Sequence, residues 1–370
     1  MIYRLFFSVL VLARIDGEAA HSLAVLALRA ANALPGVPRL LDRALVPRDP
    51  ALQVRALGMT FPSPLGLAAG ADSSARWFEA AGHLGFGFVE VGTVTAARQR
   101  GNPRPRVFRL ARDHAILNRR GFPNDGARAV AERLARRRGA SPIVGVNVGK
   151  GMTVPVDEAG RDYRASIQAL APLADYVVLN VSSPNTPGLR QMQSVERLAA
   201  LIADARGELR AAGSRTPLLI KVAPDLSDEE LDAIADLAVS TGVDGIVAVN
   251  TTTSRAGLSD PSAIPAGVGD GGVSGAPLGP RALEVLRRLR ARAGEEVTLI
   301  SVGGVQSAED VWERVLAGAS LVQAYTGFVY GGPLWPSRAN RALARRVHQA
   351  GASSIQELVG AGSPVGGAPA

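Results

Sequence analysis

The sequence of 370 residues contains no cysteine, and this absence excludes several kinds of chemistry. Without thiols the chain has no disulfide framework and no thiolate metal site, and cysteine cannot serve as a nucleophile or a base. A catalytic base therefore has to come from another residue type, and we expect no metal centre.

The chain also lacks an apolar run long enough to span a bilayer. Residues 1–13 are apolar but fall short of the roughly 20 residues that a transmembrane helix needs. After a polar break, residues 19–34 form a second apolar segment. Two short apolar helices are typical of an element lying in the membrane interface, so we predict a helical membrane cap over residues 1–45. A cleaved signal peptide is the alternative, because Arg4 precedes an apolar stretch, although no small-x-small cleavage site follows.

The charge is one-sided, with 41 Lys and Arg residues against 33 Asp and Glu residues and a formal net charge of +8. Such an excess suits an anionic ligand or an anionic membrane surface. Nucleic acid is the competing interpretation. The basic residues are scattered, however, and the densest run, at 133–138, is typical of the solvated face of a surface helix. We therefore expect no nucleic-acid partner.

Short apolar runs recur along the chain, and each is followed by a small or polar cluster. The eight runs are 65–69, 86–91, 142–146, 176–179, 217–222, 244–249, 297–302 and 319–324. Helix-like segments separate the later runs, and the clearest opens with the capping sequence at 227–230. This alternation predicts an α/β protein with a (β/α)8 TIM barrel over residues 46–350, with an open doubly wound sheet as the alternative. The Gly- and Pro-rich end, residues 351–370, is expected to be a disordered tail.

The most informative segment is NVSSPNTPGLR at 180–190, directly after the run 176–179. Asn180, Ser182, Ser183 and Asn185 stand where the predicted strand ends, in a loop stiffened by proline and glycine. Because the carboxyl ends of parallel strands are where α/β proteins build their sites, this segment predicts an active-site loop of hydroxyls and amides.

Other strand ends carry residues that suit a cofactor. Loops after strands seven and eight of a barrel commonly bind phosphate through backbone N–H groups, and here they read Gly303-Gly304 and Tyr325-Thr326-Gly327. Lys221 lies inside an apolar run, where its charge is either neutralised by a salt bridge or used to stabilise negative charge on a cofactor ring. Asparagines at three further strand ends predict recognition of a flat, amide-rich molecule; they are Asn147, Asn180 and Asn250.

Seven motifs together resemble dihydroorotate dehydrogenase, in its membrane-associated, quinone-reducing class. They are GNPRPRVFRL at 101–110, NRRGF at 118–122, NVSSPNTPGLR at 180–190, IKVAPDLS at 220–227, VNTTT at 249–253, GGVSGAPL at 271–278 and SVGGV at 301–305. The resemblance runs from about residue 14 to residue 332 in barrel-consistent order. The soluble class uses a cysteine base, so a chain that lacks cysteine and has Ser183 agrees with this assignment.

The resemblance implies bound FMN and oxidation of (S)-dihydroorotate to orotate in pyrimidine biosynthesis. Electrons would pass to a membrane quinone, in a protein bound peripherally at the cytoplasmic side of the cell membrane. Ser183 matches the base that removes the C5 proton while hydride leaves C6, although the sequence shows no relay that would activate it.

Further residues match the family's binding positions. The flavin-contacting positions correspond to Ala69, Gly70, Thr93, Asn147, Asn180, Lys221, Val249, Gly275, Gly304, Tyr325 and Thr326. Those around the substrate correspond to Asn118, Arg119, Gly121, Phe122, Asn180, Asn185, Asn250 and Thr251. The resemblance also implies that His21 and Arg109 line a quinone tunnel under the cap.

Three residues around this pocket depart from the family pattern. Ser73 stands where the family has a substrate-contacting lysine, Arg120 replaces an apolar or aromatic residue, and Pro123 stands where asparagine is common. Either Arg76 or Arg120 supplies the missing cation for the orotate carboxylate, or the substrate differs. The alternatives are therefore an FMN-dependent dehydrogenase or ene-reductase of the same fold acting on another cyclic compound, and a flavin-binding protein that has lost catalysis. Retention of Ser183, Asn185 and Lys221 argues against the last.

Overall fold

The computed structural model describes residues 16–137, 142–264 and 271–362. The predicted apolar helix at 1–13 therefore lies outside the described residues, as does the end of the chain from 363 onwards.

The centre of the molecule is a closed barrel of eight parallel strands, in the order β10-β12-β13-β3-β4-β7-β8-β9. Its strands are β3 (Leu65–Leu67), β4 (Phe88–Val94), β7 (Ile143–Val148), β8 (Tyr176–Asn180), β9 (Leu218–Val222), β10 (Gly245–Ala248), β12 (Thr298–Val302) and β13 (Leu321–Ala324). Each lies within or overlaps one of the eight predicted apolar runs, so the predicted barrel is confirmed. Every residue of β4, β8 and β9 is buried, as expected when helices cover a parallel sheet.

Helices surround the barrel. They are α3 (Phe78–His83), α4 (Ala127–Leu134), α5 (Ala159–Leu170), α6 (Val195–Ala211), α7 (Asp228–Thr241), α8 (Gly279–Ala293), α9 (Ala308–Leu316), α10 (Thr326–Gly331) and α11 (Trp335–Gln349). The predicted cap of α7 is confirmed: the Ser227 hydroxyl accepts the Glu230 N–H at 3.2 Å, and the Glu230 carboxylate accepts the Ser227 N–H at 2.8 Å. This reciprocal pair satisfies two donors that a helix start leaves free.

Two small antiparallel sheets accompany the barrel. One joins β1 (Val54–Ala56) to β2 (Met59–Phe61). The other has the order β11-β6-β5, formed by β5 (Val107–Leu110), β6 (Ala115–Asn118) and β11 (Gly272–Gly275). The second sheet brings Asn118 opposite Gly272 and so places two sequence motifs side by side.

The amino-terminal cap contains α1 (Gly17–Ala33) and α2 (Val37–Leu45). The carboxylate of Asp16 caps α1 by accepting the N–H groups of Glu18 and Ala19, both at 3.0 Å. The predicted apolar segment 19–34 corresponds to α1, and α2 follows it within the predicted cap. Proline is tolerated in the first turn of α2, because the N–H that it lacks has no intrahelical partner there.

The expectation of disorder from residue 351 is wrong as far as residue 362. Residues Ile355–Leu358 form a 3₁₀ helix, and Ile355 is fully buried. Beyond it, the N–H groups of Gly360 and Gly362 donate to the carbonyls of Val315 and Leu316 at 2.9 and 3.0 Å. One buried isoleucine and these backbone hydrogen bonds attach the segment to α9, although its composition is rich in small residues.

Candidate active site

A deep cleft opens at the carboxyl ends of the barrel strands and encloses about 1160 Å³ of empty space, its open mouth included. That volume suits a cofactor together with a small substrate. The cleft brings together most of the residues singled out in the sequence: Ala69, Gly70, Ser73, Thr93, Asn118, Arg120, Gly121, Phe122, Ser183, Asn185, Lys221, Val249, Asn250, Thr251, Gly275, Gly304, Tyr325 and Thr326.

Three polar side chains at the ends of neighbouring barrel strands form a hydrogen-bonded group next to the cleft. Thr93 donates its hydroxyl to Asn147 Oδ1 at 2.6 Å, and Asn180 Nδ2 donates to Thr93 Oγ1 at 2.8 Å and to Asn147 Oδ1 at 3.1 Å. All three side chains are buried at the ends of β4, β7 and β8. Thr93 lines the cleft, whereas Asn147 and Asn180 lie beneath it. Their assignment as cofactor contacts stays a prediction, and the structure gives them a positioning role under Thr93.

Glu90 on β4 lies at the centre of the barrel interior and is fully buried. Its carboxylate accepts hydrogen bonds from Asn147 Nδ2 at 2.9 Å and Gln323 Nε2 at 2.7 Å, and Lys221 Nζ lies 3.7 Å from it. Lys221 therefore has the interior salt bridge, yet it also lines the cleft. The two interpretations of this lysine are compatible, because Glu90 balances a cation that still faces the cleft.

The loop after β8 is held in place from several sides. Arg190 Nε donates to the Ser182 carbonyl at 3.2 Å, and its Nη2 lies 2.8 Å from Asp225. Ser183 is buried, and its Oγ accepts the backbone N–H of Asn185 at 3.3 Å. An amide donor at this position stabilises negative charge on the serine oxygen, which favours the oxygen acting as a base.

Asparagine side chains around the loop fix one another. Asn185 Nδ2 donates to Asn118 Oδ1 at 3.1 Å, and Asn118 Nδ2 donates to the Gly272 carbonyl at 3.3 Å. Asn250 Nδ2 donates to Ser182 Oγ at 3.0 Å. Amides oriented in this way can pair with a planar ligand that carries its own N–H and C=O groups.

Two glycines at the far end of the cleft pack closely against neighbouring backbone. A Cβ on Gly304, which has φ +77°, would lie 2.2 Å from Gly279 Cα, and one on Gly275, with φ +101°, would lie 2.3 Å from the His114 carbonyl oxygen. Neither position accepts a side chain. Nearby, α10 starts directly after β13, and the first N–H groups of a helix have no intrahelical partner. The assignment of this end of the cleft to a phosphate stays a prediction.

A second cleft separates α1 from the barrel and shares Ser73, Arg120 and Pro123 with the first. At this junction Arg120 Nη1 donates to the Gly70 carbonyl at 2.5 Å. Arg76 lines the second cleft but not the first.

One carboxylate of the cap faces several arginines of the barrel. Glu18 on α1 accepts hydrogen bonds from Arg106 Nε and Nη2 at 2.8 and 2.9 Å, Arg104 Nε lies 3.1 Å away, and Arg120 Nε lies 3.9 Å away. Burial raises the pKa of Glu18, but the hydrogen bonds and charge of Arg106, with the charges of Arg120 and Arg104, outweigh it and hold the pKa below its usual value. Glu18 therefore stays ionised and fastens α1 to the barrel.

The two residues predicted for the quinone tunnel do not meet in either cleft. His21 lines the second cleft, where burial first and the charge of Arg120 second lower its pKa to about 4. Arg109 lies on β5 and acts electrostatically on Tyr330. Arg119, predicted near the substrate, donates its backbone N–H to the Arg106 carbonyl at 2.9 Å and does not line the active-site cleft. All three assignments stay predictions.

The family model for dihydroorotate dehydrogenase matches residues 51–347, which include the whole barrel and its cleft. The chain belongs to the dihydroorotate dehydrogenase family. It is 55% identical over 365 residues to a Thermobifida fusca protein named dihydroorotate dehydrogenase (quinone), covering 97% of this chain and 96% of that protein. It is 53% identical over 346 residues to the protein of the same name from Mycobacterium tuberculosis (strain H37Rv), covering 94% and 95% of the two chains.

Solved structures show the same relationship. The ligand-free DHODH of Eimeria tenella superposes with a TM-score of 0.85 at 37% identity, covering 94% of this chain and all of that one. The same enzyme in complex with ferulenol gives a TM-score of 0.83 at 37% identity, covering 94% and 96%. Because each alignment covers 94% of this dihydroorotate dehydrogenase family member, it includes part of the helical cap as well as the barrel.

Sequence reasoning missed the two carboxylates that organise this site. Glu90 stands inside an apolar run, where an acidic residue has to be paired, and that position was the available signal. Glu18 gave no such signal, because its partners lie more than 80 residues away in the chain.

Proposed function

We propose that this protein oxidises (S)-dihydroorotate to orotate and passes the electrons to a quinone, as a step of pyrimidine biosynthesis. One observation carries the proposal: Ser183, the asparagines of the mouth and Lys221 line a single cleft, in a chain 55% identical to a relative named for this reaction.

The cofactor that fits this cleft is FMN. Thr93 and Lys221 would face the ring system, with Asn147 and Asn180 orienting Thr93 from below. The glycine-lined end near Gly304 would take the phosphate through backbone N–H groups of the loops after β12 and β13. Bound FMN supplies a hydride acceptor, which no side chain of this protein can provide.

The side chains of the cleft supply binding and proton transfer. Ser183 Oγ, once its own hydroxyl proton has passed to solvent, would take the proton from C5 of the substrate, and bound FMN would supply the acceptor for the C6 hydride, so that a C5–C6 double bond forms. The backbone N–H of Asn185 stabilises the negative charge that Ser183 Oγ carries before it takes up this proton. Asn118, Asn185 and Asn250, with Thr251, bind the ring amides. The hydrogen bond from Asn185 to Asn118 and the one from Asn250 to Ser182 hold these asparagines in place before the substrate arrives.

Electron transfer to a membrane quinone requires the protein to reach the bilayer. Four leucines of the cap segment are exposed, with Leu23 at 61%, Leu26 at 62%, Leu34 at 56% and Leu40 at 65%. Exposed apolar helices next to an arginine-rich surface favour peripheral binding to an anionic membrane, and a cytoplasmic-side location follows from the pathway. Among the described residues, no helix combines the length and apolar character that crossing a membrane requires. His21 and Arg109 remain the proposed lining of the quinone route.

The deciding experiment measures dihydroorotate-dependent reduction of a quinone by the purified protein, together with its FMN content. We expect a yellow protein with one FMN per chain and turnover that needs both substrates. Ser73 favours a second candidate, a dehydrogenase for another cyclic compound, because it removes a charge from the cleft. An FMN-loaded protein that dihydroorotate cannot reduce would reject the orotate assignment in favour of that candidate. A protein that binds no FMN would reject both.

A further inference from the structure

The active-site cleft needs a cation for an anionic substrate, and few side chains can provide one. Among the described residues that line it, two carry positive charge, Lys221 and Arg120. Lys221 is paired with Glu90 in the barrel interior. We propose that Arg120 is the residue that binds the substrate carboxylate, in the place left neutral by Ser73. This inference rests on the function proposed above, since it requires dihydroorotate as the substrate.

Arg120 lies at the edge of the cleft, and part of its guanidinium has no hydrogen-bond partner in the described part of the chain. Its side chain is 20% exposed, and Nη1 is fixed on the Gly70 carbonyl. Its Nε, in contrast, is buried and has no hydrogen-bond partner among the residues that the structure describes. A buried guanidinium N–H left unpaired costs free energy, and a carboxylate arriving in the cleft would recover it.

The nearby carboxylate does not saturate Arg120. Glu18 lies 3.9 Å from Arg120 Nε, beyond hydrogen-bond distance, and it already accepts two hydrogen bonds from Arg106. It also has Arg104 at 3.1 Å. One negative charge is therefore shared among three arginines, and the local excess of positive charge remains available to a ligand anion.

The charge of Arg120 affects titratable groups in both clefts. On the side of the cap it lowers the pKa of His21, after burial, and on the side of the cleft it opposes the rise that burial causes in the pKa of Tyr325. Tyr325 lines the active-site cleft. The positive charge of Arg120 therefore acts within the active-site cleft.

Arg76, the other candidate, is already engaged elsewhere. Its Nε and Nη2 donate to Asp125 at 3.1 and 2.7 Å, and its side chain is 49% exposed. It lines the second cleft but not the active-site cleft. A matched pair of variants, Arg120→Met and Arg76→Met, therefore separates the two arginines.

The test compares binding of orotate with binding of uracil, the same ring without the carboxylate, to FMN-loaded full-length protein by titration of the flavin spectrum. Arg120→Met should weaken orotate binding and raise the KM for dihydroorotate about 10–100-fold, the worth of a charge-assisted hydrogen bond. Uracil binding should stay unchanged, Arg120→Lys should retain most of the orotate affinity, and Arg76→Met should match the wild type. Adding Ser73→Lys to Arg120→Met should restore much of the loss.

Three results would overturn the proposal. Unchanged orotate binding in Arg120→Met would show that the guanidinium does not contact the carboxylate. Equal losses for orotate and uracil would assign Arg120 a structural role only. A wild-type protein that holds FMN but binds no orotate and does not oxidise dihydroorotate would reject the proposed function and this inference together, and it differs visibly from the first two results.

Discussion

Ser183 is the residue on which the proposed chemistry depends most directly. Replacing it with alanine should leave FMN bound and slow the reduction of the flavin by dihydroorotate about 10²–10⁴-fold, the usual contribution of a positioned acid–base group. Reoxidation by quinone should be nearly unaffected, because it requires no proton from C5. Stopped-flow measurement of the two half-reactions separates these effects.

The matched control for this prediction is Ser194→Ala. Ser194 is exposed at the start of α6, and its side chain makes no capping hydrogen bond. Both half-reactions of this variant should equal those of the wild type. A Ser183→Ala variant reduced at the wild-type rate would assign the base to another group.

Lys221 and Glu90 form a buried ion pair, on which we expect both stability and cofactor binding to depend. Lys221→Met should lower the free energy of unfolding by about 3–5 kcal/mol, since it leaves the fully buried Glu90 carboxylate without its cation. The double variant Lys221→Met/Glu90→Gln should recover a large part of that loss, while both variants bind FMN weakly. Urea unfolding of the apo-proteins and FMN titration measure the two quantities. Additive destabilisation in the double variant would contradict this pairing.

The cap helix α1 carries the clearest pH dependence at the scale of an element. His21 on α1 has a pKa of about 4 in the folded protein against 6.5 ordinarily, because burial and then Arg120 disfavour its charged form. As pH falls from about 6.5 towards 4, the unfolded chain takes up a proton that the folded chain refuses, so stability decreases by at most about 3 kcal/mol.

The control for this pH dependence is His21→Asn, which cannot titrate. Its free energy of unfolding should vary less than that of the wild type between pH 7 and pH 4.5. Glu18 contributes separately and at lower pH, because its pKa is lowered and its stabilisation is lost only when the carboxylate takes up a proton. Parallel pH profiles of the two proteins would show that His21 is not the titrating group.

Elements whose signal is local were predictable from the sequence, and elements that depend on distant partners were not. The eight barrel strands are short apolar runs, buried on both faces, and each is visible in isolation. The sheet β11-β6-β5 joins segments about 150 residues apart, so no local pattern indicates it. The 3₁₀ helix Ile355–Leu358 is attached by one buried isoleucine and by backbone hydrogen bonds, which residue composition does not reveal.

The residues of the candidate site also differ in whether a local sequence pattern indicates their role. Asn118, Ser183, Asn185 and Asn250 stand at strand ends or in motifs, and the fold collects them in one cleft as expected. The sequence could not decide whether Arg76 or Arg120 supplies the cation, because the answer depends on the ion pair that Asp125 forms with Arg76.

For the whole molecule, the position of Arg120 between the Glu18 carboxylate and the active-site cleft has a thermodynamic consequence. If a bilayer changes how closely α1 holds Glu18 against this arginine, it changes the affinity for the substrate anion. Reciprocity then requires the substrate to change the partition coefficient of the protein onto the bilayer by the same factor. The membrane and dihydroorotate would thus act as linked ligands, each changing the affinity for the other through the guanidinium of Arg120. The fraction of enzyme bound to the membrane would then depend on the concentration of dihydroorotate.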